Sequence, residues 1–145
     1  MEHIKTKKFK ELSLTELYKI LKLRVDVFVV EQNCPYPELD GEDEDAVHLF
    51  VEEEGEIASY LRIITRQEKT RIGRVITHKD HRGKKLSSKL MEEAMAYIKS
   101  NYPQKIVLLS AQEHLQQFYG KFGFVPVSKM YLEDDIPHVD MEYTV

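Results

Sequence analysis

Cysteine is almost missing from this chain. Cys34 stands alone, so no intrachain disulfide can form, and a reducing, cytoplasmic compartment is the expectation. No apolar run reaches the roughly 20 residues that span a bilayer. The opening Met1-Glu2-His3-Ile4-Lys5 lacks the apolar core of a secretory signal, so no membrane association is expected. A basic excess is also lacking. The chain has 21 Lys+Arg against 25 Asp+Glu, a formal net charge of -4, which disfavours nucleic acid as a partner. There is no Gly/Ser/Pro-rich linker and no internal repeat, and 145 residues suit one core, so a single domain over 1–145 is expected. Serine-hydrolase signatures of the Gly-x-Ser-x-Gly type are absent.

What is present is a globular pattern, with 42% hydrophobic and 32% charged residues. Strand and helix signals alternate and then finish in strands, which gives an α/β chain. A first strand is expected over Ile4–Lys8. Ser13-Leu14-Thr15-Glu16 has the form of a capping box, in which the Ser13 hydroxyl and the Glu16 carboxylate each accept from a backbone N–H of the first turn. Leu17, Ile20, Leu21, Val25 and Phe28 then recur at helical spacing to about Val29. Pro35 and Pro37 end regular structure, and the acidic run Glu38 to Asp45 reads as a solvated loop. Strands are expected over Val47–Glu53, Ile57–Ile64, Arg71–Thr77, Ile106–Leu109, Val125–Val127 and Val139–Tyr143. Leu86, Leu90, Ala94 and Ile98 form the stripe of an amphipathic helix. Glu113 to Lys121 is a shorter helix that Gly123 can end in the left-handed conformation.

Two stretches carry chemistry. In the first, Arg71 to Met91, a strand feeds a short basic loop that opens a helix. The free N–H groups of the first turn and the helix dipole make an anion site. Arg82, Lys84 and Lys85 add charge there, and Gly83 removes a Cβ from the approach of a ligand. A diphosphate fits this chemistry, and an ordinary basic surface loop fits it about equally well. In the second stretch, Ile106 to Val127, a central strand leads into a helix ending Phe122-Gly123-Phe124. Tyr119 lies at the edge of that helix's apolar stripe, where its ring can be buried while its hydroxyl meets a cleft. A core tyrosine is the plainer reading of that residue alone.

Together these stretches resemble motifs A and B of the GNAT superfamily of N-acetyltransferases. The resemblance to its ElaA-like branch runs along most of the chain. It is carried by Val27-Phe28-Val29-Val30-Glu31-Gln32, Pro35-Tyr36-Pro37-Glu38-Leu39-Asp40-Gly41, Tyr60-Leu61-Arg62-Ile63, Gly73-Arg74-Val75, Tyr131-Leu132-Glu133-Asp134 and Ile136-Pro137-His138. It implies a mixed, mostly antiparallel sheet flanked by helices, with middle strands that splay to admit the pantetheine arm of acetyl-CoA as cosubstrate. Backbone around Val75, Ile76 and Thr77 would pair with pantetheine, and one N–H there would polarise the thioester carbonyl. The loop Arg82, Gly83, Lys84, Lys85, Leu86 and Ser87 would hold the diphosphate. Tyr119 would protonate the departing thiolate. The family pattern in that loop is Arg/Gln-x-x-Gly-x-Gly/Ala. Arg82 matches it, while Lys85 and Ser87 stand where the small residues are expected. Their N–H groups remain available, so binding is expected to survive.

The implied activity is acetyl transfer to a primary amine of a small molecule or peptide, by direct attack in a ternary complex. The amine must lose a proton first. Glu31 at the end of the first helix and His48 at a strand start are candidate bases, with His138 a third. Phe28, Arg62 and His138 are candidate substrate contacts, and Arg62 is a candidate holder of a substrate carboxylate or else a structural ion-pair partner. A non-catalytic CoA-binding module and a plain interaction domain on the same scaffold are the rival readings. His78-x-x-His81 lacks further ligands in sequence, so no metal is expected. Cys34 lacks an activating base in sequence. A homodimer stays among the options.

Overall fold

The computed structural model describes residues 3–103 and 106–144. Its strands are β1 (Ile4–Lys8), β2 (Val47–Glu53), β3 (Glu56–Arg66), β4 (Lys69–Thr77), β5 (Ile106–Gln112), β6 (Val125–Pro126), β7 (Tyr131–Glu133) and β8 (Ile136–Thr144). The helices are α1 (Leu14–Arg24), α2 (Leu86–Asn101) and the short α3 (Gln116–Gly120). All strands share one sheet in the order β1-β2-β3-β4-β5-β8-β6, with β7 hung on β8. Every pairing is antiparallel except β4 with β5. This is the mixed, mostly antiparallel, helix-flanked sheet that the resemblance implies. No helix among the described residues is long and apolar enough to cross a membrane.

Two cores lie on the two faces of the sheet. Leu90, Met91, Ala94 and Ile98 of α2 pack with Leu49, Leu61, Ile63 and Ile72. Ile20 and Leu23 of α1 and Val27 pack with Phe50, Ile57, Tyr60 and Ile76. The run from Val47 to Val51 is buried throughout because it meets both layers. The Ser13 capping box forms as read from sequence: Glu16 N–H donates to Ser13 Oγ at 3.0 Å, and Ser13 N–H to Glu16 Oε1 at 2.9 Å.

The first helix departs from expectation. It closes at Arg24 and widens into a π-helical segment over Val25–Glu31. The buried stripe is Ile20, Leu23, Arg24 and Val27, rather than one through Leu17, Leu21, Val25 and Phe28. A charged residue inside the stripe hid it from an apolar count. The hairpin β7–β8 was not legible either. Its turn places Asp134 and Asp135 at φ 52° and 63°, the left-handed pair a tight hairpin needs, without the glycine that usually marks one.

The feature that makes a site is the parting of β4 and β5. Only Lys69, Thr70 and Arg71 pair with Ile106, Val107 and Leu108. Beyond Arg71 the strands diverge. A bulge in β4 helps: Tyr60 faces Ile76 and Arg62 faces Gly73, so Leu61 alone opposes both Arg74 and Val75, and Arg74 takes φ 54°. Bulges bend and twist their strand, and this one turns the far half of β4 away from β5.

Candidate active site

The anion end is built at the start of α2. Lys85 is its N-cap residue, at φ 61°, and caps nothing with its side chain. The N–H groups of the first turn therefore open toward a cavity whose walls include Arg82, Gly83, Lys85, Ser87 and Ser88. Lys85 takes the left-handed conformation that a glycine at this place supplies without strain, at a cost of about 1 kcal/mol. It lies at the rim, and the hollow beside it stays open. Gly83 sits at φ 88°, a backbone demand rather than a lack of room for a Cβ. Ser87 Oγ is 2.6 Å from Thr77 Oγ1, which is 3.0 Å from Ser59 Oγ, and Ser59 donates to the Ile76 carbonyl at 2.9 Å. This hydroxyl chain ties the helix start to the end of β4.

Two members of the basic loop behave differently from expectation. Lys84 does not line the cavity; its ammonium turns to Glu53 at 3.1 Å on the β2–β3 hairpin. Leu86 is buried, which leaves only its backbone for a ligand. Arg82 does line the cavity, holding the Thr77 carbonyl through Nε at 3.1 Å and gripping Glu31 with both terminal nitrogens at 2.8 and 3.0 Å.

That grip corrects the assignment of Glu31 as a base. The Arg82 hydrogen bonds hold its carboxyl below the usual carboxylate range, and Glu31 faces neither of the two cavities at the gap. His48 is corrected too. It is fully buried, with Nδ1 2.6 Å from the Tyr60 hydroxyl and Nε2 2.9 Å from the Asp43 carbonyl, so neither nitrogen reaches a substrate.

Arg62 is spent on structure. Its guanidinium donates to Asp40 and to Asp43 at 2.9 Å. Arg24 donates to Asp43 at 2.7 Å and to Glu38 at 2.9 Å, and Arg74 donates to Glu38 at 2.6 Å. The acidic run is thus not a solvated loop. Three of its carboxylates thread three arginines against the α1 face, and Arg24, Glu38 and Asp43 are buried. Arg62 Nε is the only buried side-chain polar atom without a partner among the described residues. An arginine on a buried helix stripe was the sequence signal that would have exposed this network.

Where β4 and β5 part, two cavities meet. One is the cavity at the α2 start, with Val75, Ile76 and Thr77 in its wall. The other lies toward β7 and β8, with Phe28, Tyr36, Ser110, Glu133 and His138 in its wall. Val75, Leu115 and Tyr119 border both. Tyr119 is 6% exposed, and its hydroxyl makes no hydrogen bond among the described residues, so it is left to the cavities it borders. Burial alone pushes its phenol up to about 12. Cys34 also borders the second cavity, its thiol 3.4 Å from the Asp134 carbonyl.

His138 is 8% exposed and lines that second cavity. Its Nδ1 donates to the Ile136 carbonyl at 2.7 Å, which leaves Nε2 as the nitrogen that can exchange a proton. Glu133 Oε2 stands 3.5 Å from Nε2. The strand pairing of β7 with β8 brings these two together, a contact invisible without the hairpin.

The His78–His81 pair gains a neighbour that sequence could not supply. Glu56 of β3 comes within 4.8 Å of both rings. His78 Nδ1 accepts from the Asp80 N–H at 3.0 Å, so its Nε2 carries the proton and faces Glu56 at 3.2 Å. His81 Nδ1 faces Glu53 at 2.8 Å. These contacts pin the basic loop to the β2–β3 hairpin.

A parted sheet opens between an uncapped helix start at one mouth and the His138–Glu133 pair at the other, and comparison with known proteins gives its class. The acetyltransferase (GNAT) domain family matches residues 19–145. The chain belongs to the GNAT family, and within it to the ElaA-like branch. Protein ElaA of Escherichia coli is 45% identical over 136 residues, 90% of this chain and 89% of that one. The crystal structure of E. coli ElaA superposes with a TM-score of 0.93, at 43% identity over 97% of this chain and 99% of its own. An acyl-CoA N-acyltransferase from Pseudomonas aeruginosa superposes at 0.94, with 42% identity over 99% of this chain and all 100% of its own. An aminoglycoside 6'-N-acetyltransferase complexed with coenzyme A shares the fold at a TM-score of 0.74 and 11% identity.

Proposed function

We propose that this GNAT protein transfers an acetyl group from acetyl-CoA to a primary amine by direct attack within a ternary complex. The observation that carries this reading is the position of Tyr119: a ring that is mostly buried, with its hydroxyl in no hydrogen bond among the described residues, where the two cavities meet. The α2 start, Arg82 and Ser87 hold the diphosphate, and the unpaired edge of β4 from Val75 to Thr77 takes the pantetheine. His138 Nε2 removes a proton from the acceptor ammonium, directly or through one water, and Glu133 steadies the imidazolium that results. The freed amine nitrogen bonds to the thioester carbon. A β4 N–H near Val75 stabilises the oxyanion. As the C–S bond breaks, the Tyr119 phenol passes its proton to the sulfur. The attacking nitrogen gives its second proton to solvent as the intermediate collapses, an amide and free CoA thiol leave, and solvent restores the proton of Tyr119.

A thiol-release assay with acetyl-CoA over small amines, polyamines, amino sugars and peptide amines tests this directly. Release that depends on one amine class is the expected result. Tight CoA binding with no release for any amine makes the chain a non-catalytic CoA-binding module, and absence of CoA binding rejects both.

A further inference from the structure

The cavity beside His138 does not end there. It runs on along β4 into a broad groove on the same side of the sheet, and the two share Gly73, Arg74, Ser110 and Glu133 as common walls. Five cationic side chains line the groove: Arg62, Arg66, Lys69, Arg71 and Arg74. Three of them are already paired. Arg62 is held by Asp40 and Asp43, Arg66 by Glu42 and Asp45, and Arg74 by Glu38 and Asp40.

Arg71 and Lys69 remain. Neither has an ion-pair partner among the described residues, and both are exposed. They alternate with buried Thr70 and Ile72, so both project to one face, at the far end of the groove from His138. Val75 lies four positions along β4 from Arg71. At about 3.3 Å per residue, shortened by the bulge at Arg74, this places the Arg71 backbone roughly 10 Å from Val75, with Lys69 two residues farther along the strand.

An acceptor that fills both parts of the groove presents its amine to Glu133 and His138 and meets two uncommitted positive charges at its other end. Resting on the transferase reading above, we propose that the acceptor is an elongated amine carrying an anionic group, carboxylate or phosphate, about 10 Å from its nitrogen. Arg71 is the principal anchor, because its fork donates to two oxygens at once, and Lys69 is the lesser one.

The test compares four acceptors of equal reach in the thiol-release assay: 8-aminooctanoate, 6-aminohexyl phosphate, the neutral 8-aminooctanamide and 1,7-diaminoheptane. Higher kcat/KM for an anionic compound, by about tenfold or more over the amide, is expected. The better of the two anions identifies the group. Arg71→Gln should erase that preference while leaving the amide rate within about twofold. Equal rates for all four, a preference for the diamine, or a preference that survives Arg71→Gln would overturn the inference alone. No release with any acceptor, here or over the broader amine panel, would remove the transferase reading and this inference with it.

Discussion

Polar side chains crowd two regions of this molecule, and the regions differ in whether those side chains have partners. On the α1 face, Arg24, Arg62 and Arg74 interlock with Glu38, Asp40 and Asp43, and His48 is bonded at both ring nitrogens. Along the β4–β5 gap, among the described residues, the α2 start has no side-chain cap, β4 beyond Arg71 has no strand on its β5 side, and the Tyr119 hydroxyl makes no hydrogen bond. Polar groups satisfied within the chain specify its shape, with Arg62 Nε the one buried exception among the described residues, and those left open toward a cavity are the ones a ligand completes. The difference separates residues that look equally functional in sequence. His48 and Arg62 fall on the structural side, Tyr119 and His138 on the chemical one.

The widest separation is expected in stability. Arg24→Met leaves Glu38 and Asp43 short of a buried partner and should cost about 3–5 kcal/mol in urea unfolding. Ser87→Ala on the open side should cost no more than about 1 kcal/mol. Similar losses for the two would dissolve the contrast. Catalysis should separate the regions the other way. Tyr119→Phe and His138→Gln should each lower kcat by about 100-fold with acetyl-CoA affinity nearly unchanged. A full-rate Tyr119→Phe enzyme at every pH would take the phenol out of the mechanism.

Acid should attack the sealed side in two stages. Burial holds His48 below its ordinary 6.5, against the weaker opposing pull of the Asp43 carbonyl. The unfolded chain therefore binds a proton there that the folded chain refuses, and stability falls as pH drops below about 6.5. Burial alone would raise Asp43, but the Arg24 and Arg62 hydrogen bonds outweigh it and hold the carboxyl below its ordinary 3.8. Burial likewise raises Glu16, yet the Ser13 N–H with Lys7 and Lys5 brings it down to about 2. Their contribution is intact above the ordinary carboxylate range and is lost as pH falls through the folded values. Urea midpoints measured from pH 8 to pH 2 should show both declines, and His48→Gln should flatten only the first. The smallest effect belongs to the loop: Lys85→Gly should relieve the left-handed strain and gain about 0.5 kcal/mol, with CoA affinity changed by no more than a few-fold.

Much of the scaffold was legible because periodicity reports it. The limits of β1 and β2 and the stripe of α2 follow from apolar spacing alone. The anion end of the site was legible as well, since a strand, a basic loop and a helix start are contiguous in the chain. What stayed hidden depends on contacts between distant segments. The acidic run from Glu38 to Asp45 has the composition of a solvated loop, and only the fold brings Arg24, Arg62 and Arg74 to it. Glu31 passed for a base because nothing local places Arg82 beside it. His138 is hard to single out in sequence because its partner, Glu133, reaches it only across a hairpin that no local signal marks.

A structure of the protein with acetyl-CoA tests the central claim most directly. The diphosphate should lie on the N–H groups at the start of α2, and the thioester should sit between β4 and β5 with its sulfur within hydrogen-bond reach, about 3–3.5 Å, of the Tyr119 hydroxyl. A cofactor bound anywhere else, or strands closed over an empty gap with the thioester remote from Tyr119, would contradict it.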